Sequence, residues 1–129
     1  MQLRQTKQVV VVRKDLKMRR GKEIAQGSHA SLAFLTRRLV KEGDTFRLSL
    51  REAEERWLGE SFAKVCLQIE GEQALLDLHQ QALDAGLESH LIQDSGLTEF
   101  GGVPTYTCLA IGPDYVESID PLTGHLKLY

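Results

Sequence analysis

The stretch VVVVRKDLKMRRGKEIAQGSHASL, residues 9–32, decides the fold. It opens on four consecutive β-branched residues, Val9 to Val12. Such a run suits a strand buried on both faces better than a half-exposed strand with alternating polarity. From Gly21 the pattern changes: apolar residues recur at Ile24, Leu32, Leu35 and Leu39, Ser28 completes the stripe, and Ala25, Ala30 and Ala33 add small neighbours. That spacing predicts a helix over 21–40 that lays this stripe on a sheet. A central strand feeding a long covering helix is the first unit of a layered α/β domain.

Working outward, residues 42–48 break the helical period, and Ser49 followed by Glu52 has the form of a capping box. A short helix is expected from there to about Leu58, with Gly59 ending it. Residues 61–69 alternate as a second strand. Residues 71–85 are helical, with Leu75, Leu78 and Ala82 on one face and Gly86 as the C-terminal stop. Residues 88–94 form a third strand, 95–104 a loop, and 105–113 a fourth strand. A connection this short pairs the last two antiparallel. The tail, 119–129, holds a Pro/Gly turn and a brief apolar alternation, to which the pattern assigns no element. The expectation is an α/β fold: one domain over 1–129, with a mixed sheet of about four strands and helices packed on its faces.

The composition, 42% apolar and 26% charged over 129 residues, is that of an ordinary globular domain. With no apolar run longer than Val9 to Val12, a spanning helix is not expected, and the N-terminal residues lack a signal-peptide pattern, so the expected location is cytoplasmic. Cys66 and Cys108 sit in strand-like segments and read as small buried hydrophobes. The histidines at 29, 79, 90 and 125 have no metal-ligand spacing, so no metal is implied. The net charge of −2 conceals a segregation: residues 1–41 carry eleven Lys and Arg against two acids, net +9, and residues 42–129 carry five against sixteen, net −11. Either the basic part faces an anionic partner such as nucleic acid, or the two parts pair with each other in the fold.

Chemistry concentrates in two loops. The segment after the first strand delivers Lys17, Arg19, Arg20 and Lys22 to the start of the long helix, where free N–H groups and the helix dipole favour anions. It is not a phosphate-binding P-loop, since Glu23 follows Lys22 and Leu16 stands where a glycine is required. The second loop carries Asp94 at a strand end, with hydroxyls at Thr98, Thr105 and Thr107. Both loops leave strand C-terminal ends, where open α/β sheets gather their ligands, so they are placed to share one cleft. A carboxylate beside hydroxyls and a lysine can orient a water, take its proton and stabilise an oxyanion without metal. A solvated basic loop and an ordinary Asp-Ser-Gly turn would show the same residues. Ser28 and His29 are no catalytic pair, because adjacent helical side chains project about 100° apart; His29 reads as a helix residue beside the cleft. Trp57 reads as a core anchor.

With both loops in hand, the chain resembles the type 2 peptidyl-tRNA hydrolase family from near its first strand to its last residue. The likeness rests on residues 9–32, on LIQDSGLTEF at 91–100, and on TCLAIGP at 107–113 followed by IDPLTGHLKLY at 119–129. It implies a mixed-sheet fold, frequently a homodimer, that needs no cofactor and acts on peptidyl-tRNA by hydrolysing the ester between peptide and the 3′-terminal ribose. Carried over, the catalytic positions are Lys22, Asp94, Thr98 and Thr107, and the tRNA-facing ones Lys17, Arg19, Arg20 and His29. Thr105 rivals Thr107, because the loop before it is one residue longer than the family pattern. Other departures are Arg20 where lysine is common, Gly27 where cysteine is common, and Leu97 where an arginine is expected. A homologue that binds RNA without chemistry is the alternative these departures leave open.

Overall fold

A computed structural model describes residues 4–129. The elements run β1 (Thr6–Arg13), a 3-10 turn, α1 (Arg20–Thr36), β2 (Val40–Glu42), β3 (Thr45–Arg47), α2 (Glu52–Arg56), β4 (Lys64–Ile69), α3 (Glu72–Asp84), β5 (Ser89–Asp94), β6 (Thr105–Tyr115) and α4 (Val116–Thr123). The main sheet has the order β4-β1-β6-β5, with β1 parallel to β4 and antiparallel to β6, and β5 antiparallel to β6. The expected four-stranded mixed sheet and the antiparallel pairing of its last two strands are therefore present.

The run of valines is explained by burial on both faces. Val9 and Val11 join Leu67, Ile69, Leu109 and Ile111 under Leu75, Leu78 and Ala82 of α3 and Ile119 of α4. Val10 and Val12 point the other way, to Ile92, Cys108 and Ala110 beneath α1. The expectations for α3 hold: Leu75, Leu78 and Ala82 face the core, and Gly86 takes a positive φ just past its end.

Four expectations are corrected. The stripe assigned to α1 lies on the wrong side: Gln26, Ala30, Ala33 and Phe34 are buried, whereas Ile24 and Leu32 are 64% and 54% exposed. Small residues let the helix axis approach the sheet, and the longer side chains are turned outward. The helix also stops at Thr36, and Val40 begins a small β2-β3 hairpin that the sequence pattern did not announce. The α2 cap is Arg51, whose backbone N–H donates to Glu54 Oε1 at 2.9 Å, so the Ser49–Glu52 pairing does not form; the chain then passes through Gly59 in a π turn that closes at Phe62. Cys66, on the edge strand, is exposed, while Cys108 is buried. Trp57 is a core anchor, edge-on to Phe34 with its Nε1–H donating to the Ala63 carbonyl. The tail becomes α4 and then a short run along β4, with Leu128 bridged to Leu67.

Candidate active site

The two loops meet at one point. Lys22, in the first turn of α1, places its ammonium 2.8 Å from Asp94 Oδ1 and 2.8 Å from Thr98 Oγ1. Asp94 ends β5, and Thr98 lies in the loop that follows, so the contact ties the helix start to the strand end. Lys22 and Asp94 are only 15% and 11% exposed in their side chains. A pair so enclosed is far better shielded from screening than an open surface ion pair.

The Asp94 carboxylate is almost saturated. Oδ1 also accepts Gln26 Nε2 at 3.2 Å, and Oδ2 accepts the Gly96 backbone N–H at 2.9 Å. The hydrogen bond from Lys22, with the Gly96 and Gln26 donors behind it, holds the Asp94 carboxyl below the ordinary carboxylate value, outweighing the opposing effect of burial. Gly96 is indispensable to this turn: its φ is +82°, and a Cβ there would collide with the Val103 carbonyl.

Gln26 is the residue that sequence reasoning missed. It is buried one helical turn beyond Lys22, and its Oε1 accepts the Thr107 hydroxyl at 2.6 Å while its Nε2 reaches Asp94. The available signal was its place at i+4 from Lys22, on the face of α1 that carries only small residues and Phe34. Thr107 is brought to this group by an irregularity in β6. Cys108 lies opposite Ile92 and Tyr106 opposite Gln93, so the register skips Thr107. Bulges of this kind re-aim side chains beside functional sites. Thr107 is fully buried and touches Gln26 rather than the cleft, whereas Thr105 donates to the Val103 carbonyl within its own loop.

The basic residues form the rim. Lys17 sits in the left-handed region with φ 52°, and Lys14, Lys17, Arg19 and Arg20 are exposed around the start of α1, whose N-cap makes no side-chain bond. Asp15 pins this loop: it accepts Arg13 Nη2 at 2.7 Å and the Gly71 N–H at 2.9 Å, and the Arg13 contact holds its carboxyl low. His29 is exposed two turns along α1 from Lys22, on the same side of the helix. Ser28 donates to the Ile24 carbonyl, as expected of a residue outside any dyad. Among the described residues no group of three or more His, Cys, Asp or Glu side chains is arranged to hold a metal ion.

The family model for Peptidyl-tRNA hydrolase PTH2 matches residues 6–129. The chain belongs to this family. It is 46% identical over 122 residues to the peptidyl-tRNA hydrolase of Methanopyrus kandleri, covering 95% of this chain and 97% of that one. To the peptidyl-tRNA hydrolase of Methanocaldococcus jannaschii it is 42% identical over 123 residues, covering 95% and 98%. A probable peptidyl-tRNA hydrolase 2 of Dictyostelium discoideum is 38% identical over 123 residues, 95% of this chain but 54% of the longer relative. Among solved structures, a protein of unknown function from Agrobacterium shares the fold with a TM-score of 0.56 at 14% identity, over 96% and 97% of the two chains. As a peptidyl-tRNA hydrolase family member, the chain gathers Lys22, Asp94 and Thr98 in direct contact, adds Thr107 through Gln26, and leaves Lys17, Arg19 and Arg20 free to face solvent.

Proposed function

We propose that this chain hydrolyses the ester that joins a peptide to the 3′-terminal ribose of tRNA. The observation that carries the reading is the enclosed Lys22–Asp94–Thr98 contact beside a rim of exposed cations, in a chain of this family. Hydrogen-bond accounting supports the chemistry. An ammonium has three donors, and two are given to Asp94 and Thr98, leaving one for a developing oxyanion. A carboxylate has about four acceptor positions, and Lys22, Gln26 and Gly96 occupy three, leaving one on the Oδ2 side for a water.

The water donates to Asp94 and attacks the ester carbonyl carbon. Its proton passes to the carboxylate, the tetrahedral oxyanion takes the free Lys22 donor, and collapse expels the ribose oxygen, which receives the proton back. An aspartate held low returns that proton readily. Thr98 orients Lys22 and offers its hydroxyl proton to the substrate, while Thr107 acts through Gln26. Lys17, Arg19 and Arg20, with His29 beside them, receive the 3′ phosphates. The reading includes tRNA binding, catalysis without a metal ion, a cytoplasmic place of work and a homodimeric state of the kind the family resemblance implies.

The test is release of peptide from N-acetyl-aminoacyl-tRNA in EDTA, beside Asp94→Asn. Turnover that persists in EDTA and collapses in the variant is expected. Folded protein that binds tRNA without turnover would replace the hydrolase reading with that of a silent binding homologue.

A further inference from the structure

The rim of cations is not uniformly open. Glu99 turns both carboxylate oxygens toward Arg19: Oε2 lies 3.5 Å from the Arg19 backbone N–H, and Oε1 lies 3.7 Å from the guanidinium Nε. Its side chain is only 18% exposed, whereas that of Arg19 is 90% exposed. The other acids nearby are engaged elsewhere: Asp15 by Arg13 and Gly71, Glu23 by the Tyr129 hydroxyl, and Asp94 by Lys22. Glu99 is held in place from both sides in sequence, since Thr98 contacts Lys22 and Phe100 packs against the core beneath α1. A fixed anion thus stands at the mouth of a site read as receiving phosphates, at distances longer than a strong charge-assisted bond.

We propose that Glu99 is a specificity-determining residue that sets how tightly the mouth holds tRNA: its carboxylate competes with the incoming phosphate for Arg19 and the uncapped start of α1. The inference rests on the substrate class proposed above. Phosphate binding displaces Glu99 from a loose contact, so Arg19 contributes less to affinity than its exposure suggests, and a deacylated tRNA product leaves more easily.

Glu99→Gln tests this, with deacylated tRNA as the binding probe across a KCl series and N-acetyl-aminoacyl-tRNA for kinetics. The expected result is tRNA binding tighter by about three- to fivefold, the range of one exposed charge pair. The log–log salt slope steepens by about 0.7, the value of one added single-strand phosphate contact, and the gain appears in KM. Arg19→Gln should weaken binding less in the native background than in the Glu99→Gln background, where it abolishes the gain. Equal affinity and slope for native and variant protein, or an Arg19→Gln loss of the same size in both backgrounds, overturns the inference. Should the amide disturb the loop, Glu99→Ala must show the same gain. Because deacylated tRNA needs no turnover, absence of hydrolysis would count against the enzymatic reading alone, while unchanged tRNA binding with normal hydrolysis would count against Glu99 alone.

Discussion

At the scale of single residues, the site is a chain of hydrogen bonds from Lys22 through Asp94 and Gln26 to Thr107, and each link predicts a different failure. Lys22→Ala removes the proposed oxyanion donor, so kcat/KM should fall by about 10²–10³, the usual consequence of losing one preorganised donor. The same change deletes the largest influence holding the Asp94 carboxyl low. A carboxylate with a depressed pKa keeps its charge until pH falls through that value, so the acid limb of the native profile lies at low pH. In Lys22→Ala the limb should move upward, and an unmoved limb would separate Asp94 from the rate. Gln26→Glu tests the next link. It sets a second carboxylate where Nε2 now stands, 3.2 Å from Asp94 Oδ1, and like charges at that range raise one pKa. Its acid limb should also rise while the protein stays folded; a profile identical to the native one would leave Gln26 as packing only. The meeting of Lys22 with Asp94 and Thr98 was legible because both of their loops leave strand C-terminal ends in the sequence pattern. Gln26 was not, since its one signal, a place four residues after Lys22 on the small-residue face of α1, does not by itself say that a glutamine will be buried between two strand residues. That Thr107 rather than Thr105 contacts Gln26 was equally hidden, because it depends on where the β5–β6 register skips a residue.

At the scale of elements, α1 decides the geometry of the site through what it does not carry. Ala30 and Ala33 lie against Val10, Val12, Cys108 and Ala110, and this close approach lets the short reach of Gln26 span to both Asp94 and Thr107. Periodicity alone favoured the larger Ile24–Leu32 stripe, because counting apolar residues weighs a leucine above an alanine, whereas close packing on a sheet rewards the small one. A pair of substitutions reads the outcome directly. Ala33→Leu should cost about 1–3 kcal/mol by overpacking, whereas Leu32→Ser, on the exposed side, should stay within about 0.5 kcal/mol of the native protein. Chemical denaturation of the two variants measures both values, and a reversed order would restore the stripe that the sequence suggested. Strands β1, β5 and β6 and helix α3 were legible because their patterns are unambiguous. The β2–β3 hairpin was not: all its residues are exposed, so no burial pattern marks it.

At the scale of the molecule, the charge segregation between residues 1–41 and 42–129 resolves in part into pairing within the fold and leaves other cations exposed. Arg4, Lys7, Lys22 and Arg38 pair with Glu117, Asp120, Asp94, and Glu54 with Glu88, acids from the later part of the chain. Arg38 is held most firmly, since Glu54 is fully buried and the guanidinium also donates to the Ser49 carbonyl. These pairs fasten the first strand and helix to α2, α4 and the strand ends, and Lys22 is the one among their cations that sits in the candidate site. Among the described residues, Lys14, Lys17 and Arg20 have no carboxylate within ion-pair distance, and all three are exposed at the rim of the Lys22–Asp94 site. The slightly acidic net charge therefore does not describe the surface a polyanion meets. Three free cations engaging a single-stranded 3′ end should give tRNA binding a log–log salt slope of about −2, at roughly 0.7 per phosphate. Lys17→Gln and Arg20→Gln should each flatten that slope by about 0.7, whereas Arg4→Gln, which cuts only a structural pair, should leave it unchanged. A slope near zero in the native protein would mean that phosphate contacts do not govern binding, and equal flattening by all three variants would mean that overall charge rather than this rim governs the encounter with tRNA.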